Sequence, residues 1–206
     1  MGNFSNVAGR FFAFLGRLKH IYRWGLMRSI STENVLEHSA QVAQIAHGLA
    51  IIRSKIYGKY IDAGLVTQIA LYHDVSEVFT GDLPTPIKYW NDKLTMAYRE
   101  LETDATNMLL STLPAEFHAI YNPILNPDKT SPEYFLVKCA DRIAAHIKCI
   151  EEIKQGNLEF ETAHRSTRTS LENPVIRDEY PEVNYFIEHF LPSFTLSLDD
   201  LQSIND

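Results

Sequence analysis

Apolar residues recur at three- and four-residue spacing along almost the whole chain, and alternating β-branched runs bounded by hairpin turns are absent. That pattern predicts an all-α protein. A first helix is expected over about Asn6 to Tyr22, with Phe11, Phe14, Leu15 and Leu18 on one face, ending near the irregular stretch Trp24-Gly25-Leu26-Met27. The second starts at Asn34, where Asn34 and Glu37 have capping-box spacing, and continues through Val42, Ile45, Leu49 and Ile52 to about Tyr57. The third runs from about Asp62 to Val78 and stops before Gly81, after which Pro84 and Pro86 keep Asp82-Leu83-Pro84-Thr85-Pro86 out of helix as a rigid loop. Further helices are predicted over about Lys93 to Leu113 and, shorter and bounded by proline, near Pro114 to Tyr121. A long one has Ser131 as cap and Pro132 at its first position, and passes through Phe135, Ala140, Ile143 and Ile147 to Gly156. Two more, about Glu159 to Glu172 and Pro181 to Phe190, precede an acidic tail from Ser197 to Asp206. No repeat, low-complexity tract or linker interrupts the pattern, so residues 1–206 read as one helical domain whose apolar stripes form its core.

Composition narrows the function. A chain of 206 residues with 45% hydrophobic content can build one sizeable core. A net charge of −7 gives no general attraction to a nucleic acid polymer or an anionic membrane, so any phosphate must be bound by a local constellation. No segment approaches the roughly 20 apolar residues of a membrane span. The stretch Met1 to Phe14 lacks a sustained apolar region and a small-residue cleavage site, and two cysteines make no disulfide framework, so a cytoplasmic protein is expected. Cys139 and Cys149 fall in one helical pattern, about 15 Å apart along the axis at ~1.5 Å per residue, too far to bridge. Both read as small buried apolar residues.

The candidate chemistry centres on His73-Asp74 inside the apolar run Ile69 to Val78. An adjacent His and Asp on a helix are ordinarily a partly exposed pair. Here His38 lies near the start of the preceding helix, Glu77 follows one turn after His73, and Asp141 sits mid-helix among Val137, Ala144 and Ala145. A carboxylate among apolar neighbours is costly unless it is paired or bound to a cation. A structural alternative pairs Asp141 with Arg142 or with a lysine on another helix. One divalent cation held by His38, His73, Asp74 and Asp141 would satisfy all four residues. Two nitrogens and two carboxylate oxygens suit Mn, Co, Fe, Zn or Mg and leave positions for water and substrate.

With that quartet on the page, the sequence resembles the HD-domain superfamily of metal-dependent phosphohydrolases. Three further segments narrow the likeness: Arg23-Trp24-Gly25-Leu26-Met27-Arg28, Thr32 to Ser39, and Gly81-Asp82-Leu83-Pro84-Thr85-Pro86. With Leu191-Pro192-Ser193-Phe194 late in the chain, they look like the bacterial HD-domain 5′-deoxynucleotidase family, although Gly25 stands where proline would be expected. The resemblance implies an HD-type helical bundle, a homodimer, that removes phosphate from deoxyribonucleoside 5′-monophosphates. It implies that Arg23 orients the phosphate and Trp24 lies against the sugar. Asp82, Leu83, Pro84 and Thr85 contact the nucleotide, alongside the ligands His38, Asp74 and Asp141.

The residues themselves support the same chemistry. Arg23 offers a fork of donors to a phosphate, and Glu77, close to the metal without being needed as a ligand, can transfer a proton to the leaving oxygen. Asp82 is the alternative for that proton. Two other readings stay open: hydrolysis of a triphosphate, cyclic dinucleotide or alarmone at the same site, and a non-enzymatic nucleotide-sensing helical module. His20, His47, His118, His146, His164 and His189 lack ligand spacing and are read as structural or surface residues, and Tyr89 and Trp90 as packing beside the proline loop.

Overall fold

In a computed structural model that describes residues 9–203, helices account for nearly all regular structure, and among the described residues the one β feature is an isolated antiparallel bridge between Tyr22 and Asn34. The helices are α1 (Phe11–Leu15), α2 (Val35–Lys55), α3 (Ala63–Tyr72), α4 (Glu77–Thr80), α5 (Thr85–Lys88), α6 (Asp92–Ser111), α7 (Ala115–Leu125), α8 (Pro132–Lys154), α9 (Glu161–Leu171), α10 (Pro174–Glu179), α11 (Pro181–His189) and α12 (Leu198–Gln202). No helix of the described residues is long and apolar enough to cross a membrane.

The core forms where α2, α3 and α8 pack together. Val42, Ala46 and Leu49 of α2 meet Val66 and Ala70 of α3 and Val137, Ala140, Ile143 and Ile147 of α8. All of these are fully buried, and both free cysteines lie among the buried residues of α8. Alanines at the crossings let the helix backbones approach closely, which brings polar residues at the ends of α2 and α3 against the middle of α8. A second cluster, with Phe11, Leu18, Leu109, Leu113 and Leu125, joins α1, α6 and α7 and reaches the first through Val35 and Val75.

Several boundaries depart from the sequence pattern. The expected first helix breaks up: residues 6–8 lie outside the described residues, α1 ends at Gly16, and a 3₁₀ turn spans Leu18–His20. Ile21 is then extended, and Tyr22 bridges Asn34. The third helix stops at Tyr72, because the His73 ring donates from Nδ1 to the Ala70 carbonyl at 2.7 Å and occupies the acceptor that would continue the helix. His73-Asp74 therefore lies in a turn between α3 and α4, not inside a helix. The proline loop is shorter than expected, since Pro84 caps α5 and Pro86 falls in its first turn, where a missing N–H costs nothing. Pro123 lies within α7, beyond the expected end at Tyr121, and α10 was not anticipated.

The segment 23–33 leaves the bundle and returns, closed at its base by Arg23 N–H donating to the Glu33 carbonyl at 2.9 Å. Its far side is fixed to α8 by Glu152, a fully buried carboxylate. Glu152 accepts from the backbone N–H groups of Ile30 (2.8 Å) and Ser31 (3.0 Å), from Asn157 Nδ2 (2.7 Å) and from Lys148 Nζ (2.5 Å). Lys148 also donates to the Ser31 carbonyl, and Asn157 to that of Arg28. Burial would raise the Glu152 carboxyl, but the hydrogen bonds from Lys148, Ile30, Asn157 and Ser31 outweigh it and bring it from 4.5 down to about 2.

Glu152→Gln should therefore destabilise the fold by about 3–5 kcal/mol near neutral pH, because it leaves Lys148 buried without its counter-charge. A carboxyl depressed in the folded state contributes stability that is complete above its unfolded value of 4.5 and is lost as pH falls through about 2. Denaturant unfolding of both proteins should give a difference that is constant above about pH 5 and narrows toward pH 2. A difference independent of pH would show that this carboxylate does not hold the loop.

Candidate metal centre

The site assembles where the first turn of α2, the turn after α3 and the middle of α8 converge. Asn34 and Glu37 complete the capping box that starts α2, which puts His38 on the buried side of its first turn. His38 is fully buried, and its ring lies 5.3 Å from that of His73. Ligand atoms of His38, His73 and Asp74 lie within 4.8 Å of one another. Asp141 faces them from α8, with Oδ1 3.1 Å from His38 Nε2 and 3.9 Å from His73 Nε2, while Oδ2 is 3.0 Å from Lys138 Nζ.

Whether these residues fit a cation is decided at His73. Its Nδ1 carries the proton given to Ala70, which leaves Nε2 as a bare acceptor. That atom is buried and has no hydrogen bond, although Asp74 Oδ2 is 3.1 Å away and Asp141 Oδ1 is near. An acceptor nitrogen among carboxylate oxygens is repulsive until a positive charge lies among them. The donor set fits a borderline divalent cation. The fixed tautomer also matches the way metal-ligating imidazoles are oriented by their second nitrogen.

The surrounding charges are already sorted. Burial would raise Asp74, but a positive charge at His73, from a proton on the ring nitrogen that faces it, would hold it well below the usual carboxylate range. An ionised Asp74 and a bare Nε2 together call for a cation in that proton's place. Asp141 is likewise kept low against its burial by Lys138, His38 and His73. Glu77 behaves oppositely. It is nearly buried, its Oε2 has no partner, and burial followed by the charges of Asp74 and Asp82 pushes it up to about 10. Asp82 is raised too, by burial and then by Asp74, with Arg23 pulling the other way. One carboxyl beside the cluster thus holds its proton while those in the cluster are ionised.

Arg23 reaches in from the base of the 23–33 loop. Its Nε is 3.2 Å from Glu33 Oε2 and its Nη1 3.4 Å from Asp74 Oδ2, and the surrounding carboxylates keep it charged despite burial. Trp24 is half-buried, with its ring 5.2 Å from Phe160. Asp82, Leu83 and Pro84 are half-buried and Thr85 is exposed at the start of α5, which Lys88 ties to α6 through Glu102 at 2.6 Å. The structure thus gathers His38, His73, Asp74, Asp141, Arg23 and Glu77 closely and leaves Leu83 and Thr85 toward the outside. Two residues escaped the sequence reading. Lys138, three positions before Asp141, supplies the partner sought in Arg142 or on another helix, and that spacing was the available signal. Glu33 looked like part of the helix-start segment and gave no separate signal.

A family model described as 5′-deoxynucleotidase YfbR-like matches residues 10–194. A 5′-deoxynucleotidase of Vibrio vulnificus is 48% identical over 192 residues, covering 93% of this chain and 97% of that protein. The crystal structure of an HD-domain phosphohydrolase from Listeria innocua superposes with a TM-score of 0.78 at 26% identity, over 94% of this chain and 92% of that one. A cyanophage S-2L HD phosphohydrolase, bound to dA and one catalytic Zn²⁺ ion, shares the fold at a TM-score of 0.61 and 18% identity, over 88% of this chain and 96% of that one.

A bound divalent cation should stabilise the fold, since it relieves the repulsion around His73 Nε2. Adding Mn²⁺ or Co²⁺ to chelator-stripped protein at about 100 times the dissociation constant should contribute ~2.7 kcal/mol and raise Tm. The increment should vanish in His73→Ala. No shift in the unsubstituted chain with any divalent ion tried would rule out this cluster as a cation site.

Proposed function

This chain belongs to the YfbR-like 5′-deoxynucleotidase family, and from that premise we propose that it hydrolyses deoxyribonucleoside 5′-monophosphates to deoxyribonucleoside and phosphate at the His38, His73, Asp74 and Asp141 centre. The observation that carries the reading is the buried Arg23 guanidinium beside Asp74. It sets a fixed cation with a planar fork of donors against a cluster fit for a divalent ion. Two positive centres side by side suit a phosphate dianion.

His38, His73, Asp74 and Asp141 would hold one divalent cation, whose charge activates water and polarises a phosphoryl oxygen. The chain's own groups then have separable tasks. Arg23 binds the phosphate and neutralises charge that builds on its oxygens in the transition state. Glu77, protonated beside the ionised cluster, gives its proton to the 5′-oxygen as the P–O bond breaks. Asp82, also raised, is the second group able to serve that proton. Trp24 lies against the sugar. Asp82, Leu83, Pro84 and Thr85 line the nucleoside side, and His38, Asp74 and Asp141 border the phosphate.

The metal is one of Co, Mn, Mg, Zn or Fe. Two buried free cysteines suit a reducing compartment, and we assign the protein to the cytoplasm. A homodimer would cover exposed apolar side chains of α6 and α7 such as Met96, Met108 and Ile120.

Phosphate release from dAMP, dGMP, dCMP, TMP and dUMP, with stripped and metal-loaded protein, tests the reading; release of pyrophosphate from triphosphates without monophosphate turnover would refute it. Asp74→Ala and Asp141→Ala should lose bound cation and turnover together, as elemental analysis and kinetics will show. Glu77→Gln should keep the metal and KM while kcat falls by about 10²-fold or more. An unaltered kcat would move the proton to Asp82 or to solvent.

A further inference from the structure

Glu33, to which no role has been assigned, touches three residues of the site at once. Its Oε2 accepts from Trp24 Nε1 at 2.9 Å and from Arg23 Nε at 3.2 Å, and its Oε1 lies 3.7 Å from His38 Nδ1. Its backbone carbonyl takes the Arg23 N–H. One carboxylate therefore faces the phosphate-orienting arginine, the sugar-facing tryptophan and a metal-ligand imidazole.

The backbone supplies a second, independent observation. Among the described residues, Trp24 is the one non-glycine residue at positive φ, 62°. For a bulky L residue that conformation costs ~1–3 kcal/mol and persists only where its surroundings hold it. Two things hold it here. The Glu152 anchor fixes the far side of the loop, and Glu33 fixes the indole at the near side. A left-handed turn at residue 24 sends the indole and the Arg23 guanidinium to the same carboxylate, although neighbours in an extended chain point to opposite sides.

We propose that Glu33 is a positioning residue that clamps Arg23 and Trp24 in one geometry and thereby sets discrimination at the sugar, an inference that rests on the functional reading above. The phosphate and metal contacts are common to ribo- and deoxyribonucleotides. Selectivity must come from a surface placed closely enough to exclude a 2′-hydroxyl or leave it without a partner. An indole free to rotate could yield to the hydroxyl; an indole bonded through Nε1 to the half-buried Glu33 carboxylate, itself bonded to Arg23, cannot. The charge-assisted bonds from Trp24 and Arg23 make the clamp stiffer than a neutral acceptor would.

The test uses the full-length, metal-loaded protein with Glu33→Ala and Glu33→Gln, each also made on a Trp90→Phe background so that emission reports Trp24 alone. In Glu33→Ala the Trp24 emission should shift to the red and become more accessible to iodide. The deoxy-to-ribo ratio of kcat/KM, measured on dAMP and AMP, should fall about 10-fold or more, as expected for loss of hydrogen bonds to a charged acceptor. Glu33→Gln, which keeps an oxygen for both donors, should fall in between. A purely structural role would lower Tm without moving the emission or the ratio, and that result would overturn the proposal. Should Glu33→Ala fail to fold, a double-mutant cycle of Glu33→Gln with Trp24→Phe decides. Once the indole N–H is gone, Glu33→Gln should change the ratio by less than about 2-fold, and independent, multiplying effects would overturn the clamp. If the unsubstituted protein hydrolyses no deoxynucleotide, the functional reading falls by itself, while the emission of Glu33→Ala still supports or overturns the clamp.

Discussion

Bringing two imidazoles and two carboxylates to one buried point is the constraint around which the other features are arranged. Close packing of α2, α3 and α8 through alanines forces the approach, and the His73 ring breaks α3 one residue before Asp74 so that both side chains turn inward. The result is repulsive by itself: His73 Nε2 has no donor to meet, and the oxygens around it are acceptors too. Lys138 offsets part of the negative charge at Asp141 and Arg23 part of it at Asp74. What remains is a deficit of positive charge at one place, which a divalent cation would fill.

A second level of order lies in the 23–33 loop, which carries Arg23 and Trp24 but has little apolar surface of its own to bury. Its geometry comes instead from polar groups that are buried or largely so. Glu152 satisfies two loop N–H groups, Lys148 satisfies a loop carbonyl, and Glu33 gathers the two functional side chains. Such networks hold one conformation sharply because every alternative strands a buried charge. The cost of a left-handed Trp24 is carried by the same network.

How much of this the sequence disclosed follows from the range of each interaction. Helix periodicity and caps are local, so the long helices α2, α6 and α8 could be read, together with Asn34 and Ser131 as starts. The gathering of His38, His73, Asp74 and Asp141 was legible because charged residues in apolar runs are conspicuous. The break after Tyr72 was not, since it depends on a ring bonding to a carbonyl that periodicity treats as part of the helix. Breakdown of the first helix was hidden as well, because a bridge to Asn34 overrides the apolar stripe of Phe11 to Leu18. Lys138 could have been found by its spacing to Asp141. Glu33, Lys148 and Glu152 could not, as each acts across the fold on residues distant in sequence.

The electrostatic arrangement also explains why neighbouring carboxyls can do different work. Asp74 and Asp141 are held low by the imidazoles, with Lys138 beside Asp141, and the charge of Asp74 is, after burial, one reason Glu77 keeps its proton. Glu77 has no close cation of its own. Arg23 and Lys88 lower it only as minor influences, and its Oε2 is unpaired. A cation held by the cluster would offset the charge of Asp74 as seen from Glu77 and lower the Glu77 carboxyl. In the reading proposed above, that acid would be tuned by the same charge that meets the phosphate. Glu77 opens α4 directly after the short turn from His73 to Ser76, so the chain itself sets this carboxyl beside the cluster.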